Sequence, residues 1–270
     1  TFGVLEFINF AHGEIAMMGA YFFYTFYISF KLPIAISLIL AVLAVALLGF
    51  ILEKTTFKPV RNKQEFIPLV LSIGISIILQ CIVIIFYGGG SKTYEDGTDA
   101  TVYHLFNNAL TISLTQIIII ISSIILTTGL FLFLKHTKSG KAIRAVADNK
   151  ETAAILGINV NKSISQIFIL GSSLAAIAGI LIAFDENMHP HMGLPLNIKA
   201  FAAIILGGVG KLKGAIVGAI IIAFAENMIT GLTSLEASYK EIIVFTILIG
   251  VLIFKPYGIF GGKKEEVELR

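Results

Sequence analysis

Apolar runs long enough to cross a bilayer alternate with short polar connections along almost the whole chain. A crossing helix needs about 20 predominantly apolar residues. Clean spans are predicted at about Ile34–Leu52, Ile67–Tyr87, Leu114–Leu134 and Ile164–Phe184, with shorter ones at about Ala215–Met228 and Tyr239–Phe254. Residues 2–30 are also apolar but are interrupted by Glu6, Asn9, His12, Gly13 and Glu14, and then crowd aromatics as Tyr21, Phe22, Phe23, Tyr24, Phe26 and Tyr27, the pattern of an interfacial belt. Ile198–Leu206 is apolar but too short to cross alone, and it ends in the glycine-rich stretch Gly207–Gly214. The predicted fold class is an all-α polytopic membrane protein with about seven transmembrane helices and two broken or half-helices. It forms a single transmembrane domain over residues 1–270.

Between the spans, two segments carry structure of their own. After the turn-rich Gly88–Gly97, residues 98–113 alternate in a way that predicts a short β-hairpin outside the membrane. Residues 135–163 form a charged island. Within it, the alanines at 142, 145, 147, 153 and 154 favour a helix, and Gly157 supplies its stop before Asn159-Val-Asn-Lys162. Such a helix shows mixed charge to water through Arg144, Asp148 and Glu151, and a small-residue face through Ala147, Ala153 and Ala154. It serves either as a plain solvated connection or as a surface for something outside the lipid. The span at 164–184 carries Gly171, Ser172, Ser173, Ala175, Ala176, Ala178 and Gly179, a face small enough for close helix packing in lipid.

Composition sharpens this reading. Hydrophobic residues make up 56% of the chain and charged ones 14%, with a mean hydropathy of +0.90. Soluble domains hold about 45–50% apolar and about 25% charged residues, so soluble-enzyme readings fall away. A net charge of +3 is too small to indicate nucleic acid. Lone Cys81 excludes an intrachain disulfide or cysteine metal site. The chain opens on Thr1 and is in membrane-like sequence by Phe2, so a further span is expected upstream.

The distribution of charge sets orientation. Of the twenty Lys and Arg residues, sixteen lie in segments 53–66, 135–163, 207–214 and 255–270, leaving Lys31, Lys92, Lys199 and Lys240 for the opposite side. Basic connections stay cytoplasmic, which puts the island and the C-terminus inside and residues 88–113, 185–197 and 231–238 outside. That topology closes only if residues 198–208 bring the chain inward as a half-helix or re-entrant segment buried among neighbours.

Interrupted helices in corresponding positions point to a translocation pathway. Here the breaks fall at Gly13 and at Gly207–Gly214. Asn9, His12 and Glu14 are the candidate polar residues at the first, because an ionisable group within a membrane costs about 2.5–3.5 kcal/mol on insertion scales and so faces protein or water. They serve either the pathway or as polar glue between helices. One histidine and two acids on a turn are too few for a metal site. Glu226-Asn227 marks the membrane boundary rather than a proton relay. Gly207-Gly-Val-Gly-Lys211 is no phosphate loop, since position 205 is Ile and position 212 is Leu. No catalytic triad or paired-carboxylate arrangement is present, and no catalytic residue is assigned.

The stretch Phe7–Tyr21, containing Asn9-Phe-Ala-His-Gly13, resembles the N-terminal signature of branched-chain amino acid ABC transporter permeases, specifically the Asn-Phe-Ala-His-Gly subunit type. Arg144 to Gly157 is similar to that family's cytoplasmic coupling segment, Lys199–Gly210 with Gly214-Ala-x-x-Gly218 to its third signature, and Lys255–Gly261 to its usual ending. The resemblance implies a permease subunit of a bacterial inner-membrane importer for leucine, isoleucine and valine, with its C-terminus cytoplasmic. Its implied partners are a second homologous permease, two cytoplasmic ATPases and an extracytoplasmic binding protein. ATP and magnesium would sit on the ATPases, and no cofactor on this chain. Asn9, Phe10, His12, Gly13, Glu14, Gly207 and Gly208 would then lie along the pathway. Arg144, Ala147, Asp148, Glu151, Ala153, Ala154 and Gly157 would dock an ATPase. A urea or short-amide permease of the same family and a stand-alone ion-coupled carrier are the alternatives, the carrier resting on Glu6 and Glu14.

Overall fold

The computed structural model describes residues 9–61, 63–64, 66–94, 102–105, 110–233, 240–255 and 258–261. Its main helices are α1 (Ala11–Tyr24), α2 (Ile34–Leu52), α3 (Phe66–Tyr87), α4 (Leu114–His136), α5 (Lys138–Asp148), α6 (Lys150–Ile155), α7 (Val160–Asp185), α8 (Gly193–Gly207), α9 (Leu212–Thr233) and α10 (Lys240–Phe254). The protein is a polytopic, all-α membrane protein. Among the described residues, four helical stretches are long and apolar enough to cross a membrane: Ile34–Val60, Phe66–Tyr87, Leu114–His136 and Val160–Asp185. The bent pair Gly193–Gly207 with Leu212–Met228 makes a fifth if taken as one span. At 14 and 15 residues, α1 and α10 are shorter. The predicted hairpin is present: β1 (Val102–Leu105) pairs antiparallel with β2 (Leu110–Ser113), Val102 opposite Ser113. Ser113 then starts α4 through a capping box, its Oγ accepting from the Gln116 amide at 3.1 Å while Gln116 Oε1 accepts from the Ser113 amide at 3.2 Å.

The chain divides into two compact units, the first essentially Gly3–Gly193 and the second Leu194–Arg270. In the first, α1 is the central helix, with Ala11 and every residue from Gly13 to Tyr21 buried. It is wrapped by α2, α3 and α7. Apolar side chains gain little from helix association in lipid, so close backbone approach has to supply the packing. The small-residue face predicted on α7 does this: Ser172, Ala175, Ala176 and Gly179 are buried. A side chain at Gly179 would run into the backbone of Ala16, and one at Gly19 into that of Ala176.

Of the aromatics expected to form an interfacial belt, Phe22, Tyr24, Phe26 and Tyr27 are half-buried. Tyr21 and Phe23 are fully buried. Phe23 packs on Ala41 and Ile180 and meets the rings of Tyr27, Tyr94 and Phe184 at 5.0–5.5 Å between centroids. The Tyr94 hydroxyl donates to the Ala20 carbonyl at 3.0 Å. Burial raises the Tyr94 pKa, so this ring stays a neutral donor. By contrast α4 buries none of its residues and presents Ile118, Ile120, Ile121, Ile124 and Ile125 outward.

The second unit is built on α8, α9 and α10, whose core is Ala202, Ala203, Leu206, Ile222 and Val244, with Leu248 and Val251 packed against it. Helix α8 meets the following helix at a bend of 119°, the geometry of a broken span or a re-entrant loop.

Candidate functional site

The first candidate centre lies where α1 begins. The helix begins at Ala11, after Asn9 and Phe10, and runs without interruption through Gly13, so the break expected at Gly13 is not there. Asn9 Oδ1 accepts from the Ala11 amide at 3.1 Å, and the Phe10 amide donates to Ser72 Oγ at 3.1 Å. Both bonds satisfy helix-start donors that have no intrahelical partner. Gly13 is buried inside the first turn, and His12 is half-buried.

One turn on, Glu14 is fully buried. Its Oε1 accepts from Gln80 Nε2 at 2.8 Å and from Ser76 Oγ at 3.2 Å. Ser72, Ser76 and Gln80 stand four residues apart and so share one face of α3. This polar stripe meets α1 along its length. Farther on, the Tyr21 and Tyr87 rings pack at 4.9 Å between centroids, and Thr25 Oγ1 shares a hydrogen bond with the Tyr87 hydroxyl. Sequence reasoning isolates the α1 acid but misses its α3 partners. The signal is present: a Ser-x-x-x-Ser-x-x-x-Gln repeat inside an otherwise apolar span.

The second candidate surface is the charged island, and it is two helices rather than one. The chain is extended at Asn149, φ −160° and ψ 116°, which separates α5 from α6. Asparagine competes for helix-interior hydrogen bonds and favours a cap. Here Asn149 Oδ1 accepts from the Thr152 amide at 2.8 Å and starts α6. Asn149→Ala is expected to cost about 1 kcal/mol of local stability, visible as lowered hydrogen-exchange protection of the amides at 153–156. Thr137 starts α5 the same way, accepting from the Gly140 amide at 2.9 Å.

α6 ends as the sequence predicts, at Gly157 with φ +80°. The Gly157 amide donates to the Ala154 carbonyl and the Ile158 amide to the Ala153 carbonyl, both at 3.0 Å. This is the paired C-terminal bond pattern of a Schellman stop. Of the predicted docking residues, Arg144, Asp148, Glu151, Ala154 and Gly157 are exposed and Ala147 is half-buried. Ala153 turns inward with Ile143 and Val146. Ile155 and Leu156, which the sequence pattern does not single out, are 85% and 73% exposed at the tip.

The island is anchored to its neighbours by a cluster that looks, in the sequence, like a plain connection. Helix α2 does not stop at Leu52; it continues through a π-turn, Glu53–Phe57, and a single turn to Val60. This carries Glu53 into full burial. Arg61 folds back to pair with Glu53 and donates through Nη1 to Asn161 Oδ1 at 2.9 Å. Ser165 Oγ donates to Glu53 Oε2 at 2.8 Å. Asn161 and Ser165 lie on the first turns of α7, directly after the island.

In the second unit Gly207 and Gly208 form the bend after α8. The Gly207 backbone touches that of Gly214, and Gly208 takes φ +102°, a region open to glycine. The Ile259 amide donates to the Leu206 carbonyl at 2.8 Å and that of Phe260 to the Gly207 carbonyl at 3.2 Å, so the C-terminal segment straps the bend. Glu226 is buried and takes an ion pair from Lys199 Nζ at 2.7 Å. It is thus a paired, buried charge.

Residues 1–252 match the family model described as the branched-chain amino acid transport system / permease component. The high-affinity branched-chain amino acid transport system permease protein LivH of Escherichia coli (strain K12) is 32% identical over 279 residues, covering 99% of this chain and 89% of that protein. BraD of Pseudomonas aeruginosa, named for the same transport system role, is 34% identical over 281 residues, with 99% of this chain and 90% of BraD covered. The probable branched-chain amino acid transport permease protein LivH of Methanocaldococcus jannaschii is 32% identical over 265 residues, covering 94% and 82%. No solved structure matches the chain.

Proposed function

The chain belongs to the family of branched-chain amino acid transport system permease components, and from that premise we propose that it forms half of the membrane pathway of an ATP-driven importer for leucine, isoleucine and valine. It is a transport subunit and not an enzyme. In this reading a second permease completes the pathway and two cytoplasmic ATPases drive it. An extracytoplasmic protein delivers the amino acid, and ATP and magnesium bind the ATPases alone. The protein sits in a bacterial inner membrane with the island and the C-terminus in the cytoplasm, as the bias of basic residues favours. The family match favours branched-chain amino acids over urea or short amides. It equally disfavours a stand-alone carrier.

One observation carries the coupling half of the proposal: a capped, charged helix pair that holds Ile155 and Leu156 out to water in a chain otherwise made of apolar spans. Large apolar side chains held in solvent mark contact surfaces when they cluster and are rigidly presented. The pathway half rests on the buried polar seam from Asn9 through Glu14 between α1 and α3. The bend at Gly207–Gly208 supplies an interrupted helix of the kind that surrounds transporter sites.

The test is purification of the full-length protein from detergent-solubilised membranes, identification of co-purifying chains, and ATP-dependent L-leucine uptake after reconstitution. Two ATPases, a second permease and ATP-dependent uptake are expected. Recovery of this chain alone, moving leucine without ATP, would overturn the importer. A finer prediction concerns Ala154→Asp, which adds charge to the exposed side of α6. A several-fold loss of uptake is expected with membrane insertion intact, read by immunoblot of membranes alongside transport.

A further inference from the structure

The α1–α3 seam is satisfied almost everywhere, and the exceptions are informative. Glu14 Oε1 takes both donors that α3 offers, while Oε2 of the same carboxyl is buried with no hydrogen-bond partner among the described residues. Seven residues along α1, about 10 Å by helical rise, the Tyr21 hydroxyl is buried and unpartnered in the same sense. Buried polar atoms are rarely left unpaired, because the lost water is not replaced.

What covers Glu14 does not compensate it. Gly193, the last residue of the first unit, lies so close that a Cβ there would meet the Glu14 carboxyl. This contact closes a strap, residues 188–193, pinned at its other end by a two-bond antiparallel bridge between Met188 and Lys92, each bond 2.9 Å. Met188 and Met192 are buried along it. His191 lies on the strap yet makes no hydrogen bond to Oε2. The strap therefore seals a carboxyl oxygen that wants a donor and brings none.

We propose that Glu14 Oε2 is the station for a primary ammonium group, occupied by the α-ammonium of the transported amino acid when the 188–193 strap lifts from Glu14. Tyr21 offers the next polar stop along the seam. This inference rests on the importer reading and adds to it a substrate contact and a gate. An amino acid brings a cation that an apolar pathway must accommodate. Glu14 supplies one fixed acceptor, already oriented by Ser76 and Gln80, and so needs no rearrangement to receive it. A methyl group at 193 would meet the Glu14 carboxyl, so either the strap or the carboxyl would have to shift.

Glu14→Gln separates this role from packing. The amide keeps an Oε1 acceptor for Ser76 and Gln80 and replaces only the free oxygen. The assembled complex is placed in vesicles of phosphatidylcholine and phosphatidylglycerol, which carry no primary ammonium, and ATP-dependent uptake of L-leucine is measured with the thermal midpoint of the complex. Expected is at least a tenfold fall in uptake with the midpoint unchanged, and a two- to fivefold fall for Tyr21→Phe. Uptake by Glu14→Gln at the wild-type rate overturns the proposal. So does a loss of uptake matched by a lowered midpoint in both variants, which would assign the two residues to packing. Absence of leucine uptake by the wild-type complex would instead remove the importer reading before any variant is compared.

Discussion

Replacing Ile155 and Leu156 together by glutamate is expected to reduce ATP-driven leucine uptake at least a hundredfold while leaving the protein folded in the membrane. The two side chains are among the most exposed large apolar groups of the described residues, at 85% and 73%. They are not loosely placed. The Schellman bonds at Ala153 and Ala154 and the positive φ of Gly157 fix the chain on which they stand. Inward, Ile143, Val146 and Ala153 hold the helix pair to its own unit. The tip thus offers apolar side chains on a rigid support, and fully burying an Ile or Leu side chain contributes about 1.5–3 kcal/mol. Two carboxylates at that position would have to be desolvated to dock. A hundredfold loss corresponds to about 2.7 kcal/mol, well within what two such side chains supply. Because both side chains stand in solvent, the thermal midpoint should not move. The measurements are ATP-dependent uptake, co-purification of the ATPases and thermal unfolding. Uptake at the wild-type rate would place the coupling surface elsewhere.

The apolar spans are legible in the sequence because period and length act locally. The span predicted at Ile34–Leu52 is found with the same start and runs on through a π-turn to Val60, and the Gly157 stop follows from one residue's backbone freedom. The hairpin at 102–113 is readable from alternation alone. Other features depend on distant partners. Glu14 stands out as an acid in an apolar run, but its meaning comes from Ser76 and Gln80, more than sixty residues away. Tyr21 and Phe23 look like interfacial aromatics until Gly19 and Gly179 let α7 approach and enclose them. The split at Asn149 hides behind alanines whose propensity favours one continuous helix, and a single side-chain cap overrides them. Glu226 is paired by Lys199, twenty-seven residues earlier, and nothing local in the sequence announces that partner.

The same dependence on distant partners governs the other large effect, at Arg61. Glu53 is fully buried and both of its oxygens are engaged, one by Arg61 and one by Ser165. Replacing Arg61 with methionine leaves an uncompensated carboxylate in the interior, and breaking a buried pair from one side costs about 3–5 kcal/mol. A marked drop in the thermal midpoint is expected, with loss of uptake. The double substitution Glu53→Gln with Arg61→Met removes the charge and keeps an acceptor for Ser165, so most of the stability should return. Uptake should not return with it. The pair also ties the end of α2 to Asn161 and Ser165 at the start of α7, immediately after the island. In the proposed importer, a push received at α6 would reach α7 first and, through this cluster, α2. With the charge removed the helices still pack, but the tie that makes them move together is weakened. Thermal unfolding of the three forms, measured beside ATP-dependent uptake, separates the two roles. Recovery of both properties in the double variant would show that the cluster supports only the fold.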